Sequence, residues 1–228
     1  TFYNYGNKMV YVSDETSGTK NTLKLYFAEN AMGKWKKKGP FPYNSSAYSI
    51  YDVTINEEGT IMYFSSDMKG GKGGTDLYVS SYKDGKWTRP ENLGDAINTT
   101  LDETSPFLHQ NSLYFSSNGH AGLGGLDIFR TAIDSVEFGE AVNLGYPVNT
   151  NHDDFNFYLE GDGTKGYLAS NRKNGDMDDD IYRVEISLQS YPYTIHGTLK
   201  YKITGSDNSS ELRILPHASL ELTDLTRN

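Results

Sequence analysis

The chain of 228 residues contains no cysteine. That absence excludes disulfides, thiolate zinc sites and thiol nucleophiles together, while leaving the compartment open, because bacterial envelope proteins also do without disulfides. Proline (7) and methionine (5) are scarce beside 18 Tyr, 10 Phe and 23 Gly. Such a bias favours pleated strands joined by tight turns, and no long helical period runs anywhere. No apolar run approaches the ~20 residues needed to cross a bilayer, and no signal peptide opens the chain. Because the sequence begins inside a repeating pattern, further chain is expected before Thr1. Basic residues are in the minority, 21 against 30 acidic, for a formal charge of -9. This argues against a nucleic-acid groove or a surface held on anionic lipid. The one basic run, Lys34 to Lys38, is short and interrupted by Trp35.

What the sequence has is a repeat. Tyr63-Phe64-Ser65-Ser66 returns 51 residues later as Tyr114-Phe115-Ser116-Ser117 and 53 after that as Tyr167-Leu168-Ala169-Ser170, with Tyr11-Val12-Ser13 lying 52 before Tyr63. Asp76-Leu77-Tyr78, Asp127-Ile128-Phe129 and Asp180-Ile181-Tyr182 keep the same step, with Lys24-Leu25-Tyr26 in the first copy. Trp35, Trp87 and Phe138 stay in register, as do Asn98 and Asn149. In the third copy, strands are expected over 103–109, 112–117, 127–133 and 137–144, separated by Asn118-Gly119, Gly122 to Gly125 and Asp134-Ser135. A four-stranded meander of about fifty residues is a propeller blade. Leu113-Tyr114-Phe115 and Ile61 to Phe64 are continuously apolar, as strands covered on both faces require.

These residues resemble the WD40-like repeat of the TolB type, through Tyr63 to Asp67, the glycine turn Gly70 to Gly74 and Asp76 to Tyr78, over residues 1–187. The segment 188–228, with Tyr193 to Lys202 and Pro216 to Asp224, resembles the opening of a carboxypeptidase regulatory-like, transthyretin-type sandwich. That order is similar to Bacteroidota outer-membrane lipoproteins of the OmpA family, including a peptidoglycan-associated component of the type IX secretion and gliding machinery. The resemblance implies tetratricopeptide repeats upstream and a peptidoglycan-binding domain downstream of this chain.

The expected fold is therefore all-β: four propeller blades at 1–187, then the first strands of a sandwich at 188–228. The last blade lacks a Trp-containing fourth strand, and the first copy starts on a first strand. A closing strand and more blades are thus expected upstream, in a ring of about six to eight.

Motifs with chemical potential have structural readings beside them. Gly70-Gly71-Lys72-Gly73-Gly74 resembles a phosphate loop, but a strand follows where a helix N-terminus is needed. Asp176-Met177-Asp178-Asp179-Asp180 carries calcium candidates at Asp176, Asp178 and Asp180. The helix-loop-helix calcium pattern wants Gly and Glu where Ile181 and Ser187 stand. No other cofactor is expected. His109, His120, His152, His196 and His217 lack metal-ligand spacing. Ser65-Ser66 and Ser116-Ser117 recur in register, as strand-packing or turn residues do, whereas a catalytic serine is expected once. Asp102-Glu103 and Asp153-Asp154 recur too, which favours structure over a glycosidase pair. Asp76, Asp127, Asp180, Trp35, Trp87 and Phe138 are read as repeat-holding residues. Asp134-Ser135-Val136 resembles a Bacteroidota O-glycosylation acceptor at Ser135, a motif short enough that chance occurrence is the favoured reading. Phe41, Tyr43, Tyr48, Tyr51 and Tyr146 either anchor a partner at the rim or plug the spaces between blades.

The function expected from this pattern is non-catalytic: a periplasmic, outer-membrane-associated scaffold that binds envelope proteins and reaches peptidoglycan through a domain outside this chain. The alternative is an enzyme or carbohydrate-binding propeller using the central channel. Titration calorimetry with calcium is expected to give no binding heat; a saturable signal would establish the acidic run as a site.

Overall fold

The computed structural model describes residues 1–15, 22–134, 138–173 and 178–186, and the backbone of the strand residues 200–204 and 210–214. The chain divides into two compact units, Thr1–Ser187 and Leu188–Asn228.

Glycine turns and apolar strand runs fold the first unit into four antiparallel meanders. The first blade is β1 (Phe2–Tyr3), β2 (Lys8–Glu15), β3 (Thr22–Ala31) and β4 (Lys34–Pro40). The second is β5 (Ile50–Ile55), β6 (Ile61–Ser66), β7 (Asp76–Lys83) and a fourth strand broken into β8 (Lys86–Trp87) and β9 (Glu91–Asn92), both paired with β7. The third is β10 (Glu103–His109), β11 (Ser112–Ser117), β12 (Asp127–Ala132) and β13 (Val142–Asn143). Among the described residues the fourth has three strands, β14 (Asp154–Leu159), β15 (Lys165–Ser170) and β16 (Asp180–Glu185). The chain is thus all-β, its four sheets arranged as propeller blades, with no helix among the described residues. The second unit contains one antiparallel hairpin, β17 (Lys200–Thr204) and β18 (Ser210–Ile214). Of the expected sandwich strands, 193–199 and 216–224 lie outside the described residues.

The core lies between blades. Leu25, Phe41, Ile50, Met62, Phe64 and Tyr78 fill the first boundary. Leu77, Ile97, Leu113, Phe115 and Phe129 fill the second, and Ile128, Phe157, Leu159 and Leu168 the third. Packing follows chain order, and among the described residues no strand of the fourth blade makes an extended contact with one of the first. The first strands of the second, third and fourth blades carry a bulge, at Ile50/Val53, Thr104/Phe107 and Phe155/Tyr158. Ser105 (φ 51°) and Asn156 (φ 52°) take left-handed backbone there.

Two expectations are corrected. The fourth strand of the third blade shrinks from 137–144 to Val142–Asn143 plus an isolated bridge, Ile133 to Phe138. The Thr131 hydroxyl takes the Gly139 carbonyl at 2.8 Å, and that carbonyl is thereby withdrawn from a ladder. Tyr11 does not occupy the place of Tyr63. It lies opposite Tyr26 as Phe64 lies opposite Tyr78, the paired residues being 15 positions apart in the first blade and 14 in the second.

At the head of the third strand in the first three blades one asparagine bonds both backbone groups of the strand's leading apolar residue. Leu77 donates its N–H to Asn98 Oδ1 at 2.8 Å and accepts from Asn98 Nδ2 at 2.9 Å. Ile128 and Asn149 repeat this at 2.8 Å in both directions, and Leu25 and Asn44 at 3.0 and 2.8 Å. Asn98 and Asn149 are buried. Asn98→Ala is expected to cost about 2–4 kcal/mol in urea unfolding, since it orphans a buried N–H and weakens the bonding of a carbonyl.

Burial holds the phenols of Tyr3, Tyr48, Tyr51, Tyr63, Tyr78 and Tyr114 above their ordinary value of 10.0. Each thus favours the neutral form in the folded state more than in the unfolded one. The stability this contributes is full below pH 10 and is lost as pH rises through the folded values. Denaturation midpoints measured across that alkaline range should fall, with tyrosinate absorbance appearing together with unfolding.

Candidate functional site

The residues singled out by the repeat meet at the blade boundaries. Asp76, buried at the head of β7, accepts the N–H groups of Lys72 (2.7 Å) and Gly73 (3.3 Å). Asp127 accepts those of Leu123 (2.5 Å) and Gly124 (3.2 Å). The amides of both glycine turns are therefore directed at the chain's own carboxylates, and Lys72 pairs with Asp95 at 2.6 Å, so no phosphate cradle forms. A Cβ on Gly71 would fall 1.7 Å from Asp76 Oδ2, and one on Gly122 1.8 Å from Asp127 Oδ2. Glycine is needed there for close approach. Asp180 heads β16, with Asp178 exposed before it; Asp176 and Ser135 lie outside the described residues. Among the described residues no group of three His, Asp or Glu can hold a metal.

The paired carboxylates, with Ser66 and Ser117, are engaged with backbone and neighbouring side chains, whereas the buried Ser116 hydroxyl has no hydrogen-bond partner among the described residues. Asp102 reaches across a boundary to the Thr75 N–H (2.9 Å) and hydroxyl (3.0 Å), and Asp153 to the Leu126 N–H (2.7 Å). Buried Glu103 accepts from the Thr99 N–H (2.8 Å), the Thr99 hydroxyl (2.7 Å) and the Ser117 hydroxyl (2.7 Å). Buried Asp154 accepts from the Thr150 N–H (2.6 Å) and from Arg172 Nη2 at 2.5 Å. Ser66 donates to the Ser49 carbonyl at 2.6 Å. His120 Nε2 lies 2.8 Å from the Ile97 carbonyl oxygen.

The aromatic connections divide between the two readings left open. Phe41 is buried, Tyr43 packs on the same cluster with its hydroxyl 3.5 Å from the Trp87 carbonyl, and Tyr48 donates to the Tyr43 carbonyl. These three plug the first boundary. Tyr51 donates to Asp67 Oδ2 at 3.2 Å, and Tyr146 stands exposed before a cis Pro147.

One location departs from the repeat in a way the sequence did not reveal. Between the first two blades a cleft of about 520 Å³ opens, walled by Tyr3, Phe27, Lys38, Glu58, Tyr82 and Trp87. The Trp87 indole stacks on Phe27 at 5.5 Å and 9°, and Tyr82 meets Trp87 edge-on at 5.3 Å. Lys38 pairs with Glu29 at 2.6 Å beside them, and that ammonium holds the Glu29 carboxyl below its ordinary value. The corresponding opening between the second and third blades, about 690 Å³, is walled differently. Its walls include Glu58, Ile61, Tyr63, Leu108, His109 and Ile133, and in the packed boundary beside it Ile133 faces Phe138 as Tyr82 faces Trp87, with Val79 in the place of Phe27. Trp87 and Phe138 both pack across a boundary, Phe138 edge-on to Tyr63 at 6.0 Å, whereas Trp35 rests on Phe2 of its own blade. Phe27 and Tyr82 lie at positions where the repeat has no consensus, so only a comparison of counterparts in space identifies them. Asn44 escaped for a related reason: it lies 54 residues before Asn98, while Asn98 and Asn149 are 51 apart.

No protein-family model matches the chain, and no curated protein matches its sequence. Among solved structures it is similar to a protein of unknown function from Dyadobacter fermentans, with 15% identity and a TM-score of 0.50 over 80% of this chain and 51% of that one. It is also matched to a putative TolB from Agrobacterium tumefaciens (15% identity, TM-score 0.47, 81% of this chain and 56% of that one). A third match is an alpha-L-arabinofuranosidase from Lactobacillus brevis (12% identity, TM-score 0.48, 89% and 70%). The chain spans about half the length of the first two. At this identity the first likeness is one of fold alone, and the other two, below a TM-score of 0.5, add nothing to it.

Tyr82→Ala is expected to change stability by less than about 0.5 kcal/mol, the side chain being 44% exposed. Trp87→Ala, which uncovers Phe27 and Phe41, should cost about 3 kcal/mol. Urea unfolding of the two variants checks the difference.

Proposed function

We propose that the propeller is a non-catalytic protein-binding scaffold, carried in the periplasm by an outer-membrane-associated lipoprotein that links a secretion or gliding assembly to the cell wall. The observation that supports binding is the aromatic cleft between the first two blades. It is the place where the repeat is broken by partly exposed rings, and Trp and Tyr are the side chains that dominate protein contacts. The recurring carboxylates are already engaged in holding turns and boundaries, as are Ser66 and Ser117, and Ser116 is buried, which leaves them poorly placed to act as acid, base or nucleophile. The envelope setting rests on the resemblance of residues 1–187 and 188–228 to the lipoprotein family described above. No helix among the described residues is long and apolar enough to cross a membrane, so attachment in this reading belongs to other parts of the protein.

Affinity purification of the full-length protein from its native envelope tests the reading. Envelope proteins are expected to be recovered with it, and Tyr82→Ala should reduce their yield several-fold without altering the protein's own abundance. Recovery with no envelope partner would count against the scaffold, and a hydrolase activity retained by the purified protein would count for an enzyme instead.

A further inference from the structure

Blades of this propeller pack on one another through their faces, which leaves the outer edge of each fourth strand at the rim. In the second blade that strand is broken into β8 and β9, two residues each, with Pro90 between them, and in the third β13 has two residues. β4 differs. It runs over seven residues, Lys34–Pro40, with a single bulge against β3, and is the last strand of its sheet. Its free edge, about 23 Å long at ~3.3 Å per residue, presents N–H and C=O groups that a further strand can take up.

The side chains along this edge set what it can pair with. Lys34, Lys36, Lys37 and Lys38 are all exposed. Lys38 pairs with Glu29 at 2.6 Å and Lys37 lies 3.8 Å from the Tyr26 ring centre, while Lys34 and Lys36 reach solvent. A second copy of β4 laid along the edge would set lysine against lysine, which opposes self-pairing. An acidic strand meets the opposite sign. Elsewhere the chain repels such a strand, since acidic residues outnumber basic ones 30 to 21 and Lys34 to Lys38 is its one basic run. The edge also leads into the aromatic cleft: Lys38, Gly39 and Pro40 belong both to β4 and to the cleft wall that holds Phe27, Tyr82 and Trp87.

We propose that β4 is a docking edge for an acidic, extended segment of a partner protein, which adds to the four-stranded first blade as a further strand and ends at the aromatic cleft. The proposal rests on the scaffold reading above and names the chemistry of its partner. Backbone hydrogen bonds along β4 supply affinity that any strand could share, and the lysines select the sign of its charge.

Calorimetric titration of the full chain with a blocked peptide of alternating glutamate and valine, seven residues long like β4, tests this. Saturable binding of one peptide per chain is expected, with amide hydrogen exchange slowed along Lys34–Pro40. The same peptide with lysine in place of glutamate should not bind, and an N-methylated version, unable to form a ladder, should bind at least about tenfold more weakly. The double variant Lys34→Glu, Lys36→Glu, at exposed positions and with unchanged circular dichroism, should lose affinity by a similar factor, whereas Lys69→Glu, also exposed, should not. The proposal is overturned by a native chain that ignores the acidic peptide, by equal binding of the N-methylated one, or by a charge-reversed chain that binds as tightly. Capture of anionic lipid vesicles in place of the peptide would overturn it too. Peptide binding by a protein that recovers no envelope partner removes the scaffold reading alone, and envelope recovery without peptide binding removes this proposal alone.

Discussion

The constraint on which the propeller depends is that the buried backbone at the head of the third strand in the first three blades lies beyond the paired part of the fourth strand and must still be hydrogen-bonded. The fourth strands stop short of that point, and β9 reaches only to Asn92. The backbone N–H groups of Phe41, Leu93 and Leu144 still reach the carbonyls of the strand-heading residues, and an asparagine arriving from the inter-blade connection then bonds both the N–H and the C=O of the same residue. Asn44, Asn98 and Asn149 do this for Leu25, Leu77 and Ile128. The hydrophobic residue held in this way then inserts into the next blade, which couples polar satisfaction to core packing.

The same constraint accounts for the glycine turns and their aspartates. Asp76 and Asp127 collect the amides of the preceding turn, and glycine allows the backbone to approach a carboxylate where a Cβ would collide with it. Asp102 and Asp153 then tie the next blade to the residue in front. The carboxylates of Asp76, Asp102, Asp127 and Asp153 are thus bonded to backbone N–H groups of the turns and boundaries. Function is better sought where the repeat lapses. Phe27, Tyr82 and Trp87 build an aromatic wall at one boundary, while Val79, Ile133 and Phe138 line the next.

By itself the sequence determined the blade unit, the strand-heading aspartates, the glycine turns and the register of Trp87 with Phe138, because each is a local requirement restated every fifty-odd residues and so visible as recurrence. It determined the absence of thiol chemistry as well. Only the tertiary structure decided the one-residue offset of Tyr11, since strand pairing and not spacing sets which side chains face each other. It also decided that Asn44 joins Asn98 and Asn149, because connections of different length hide equivalent positions from any fixed period. The cleft, finally, is made by rings from two blades that share no motif, and proximity between Phe27 and Trp87 is created by blade packing alone.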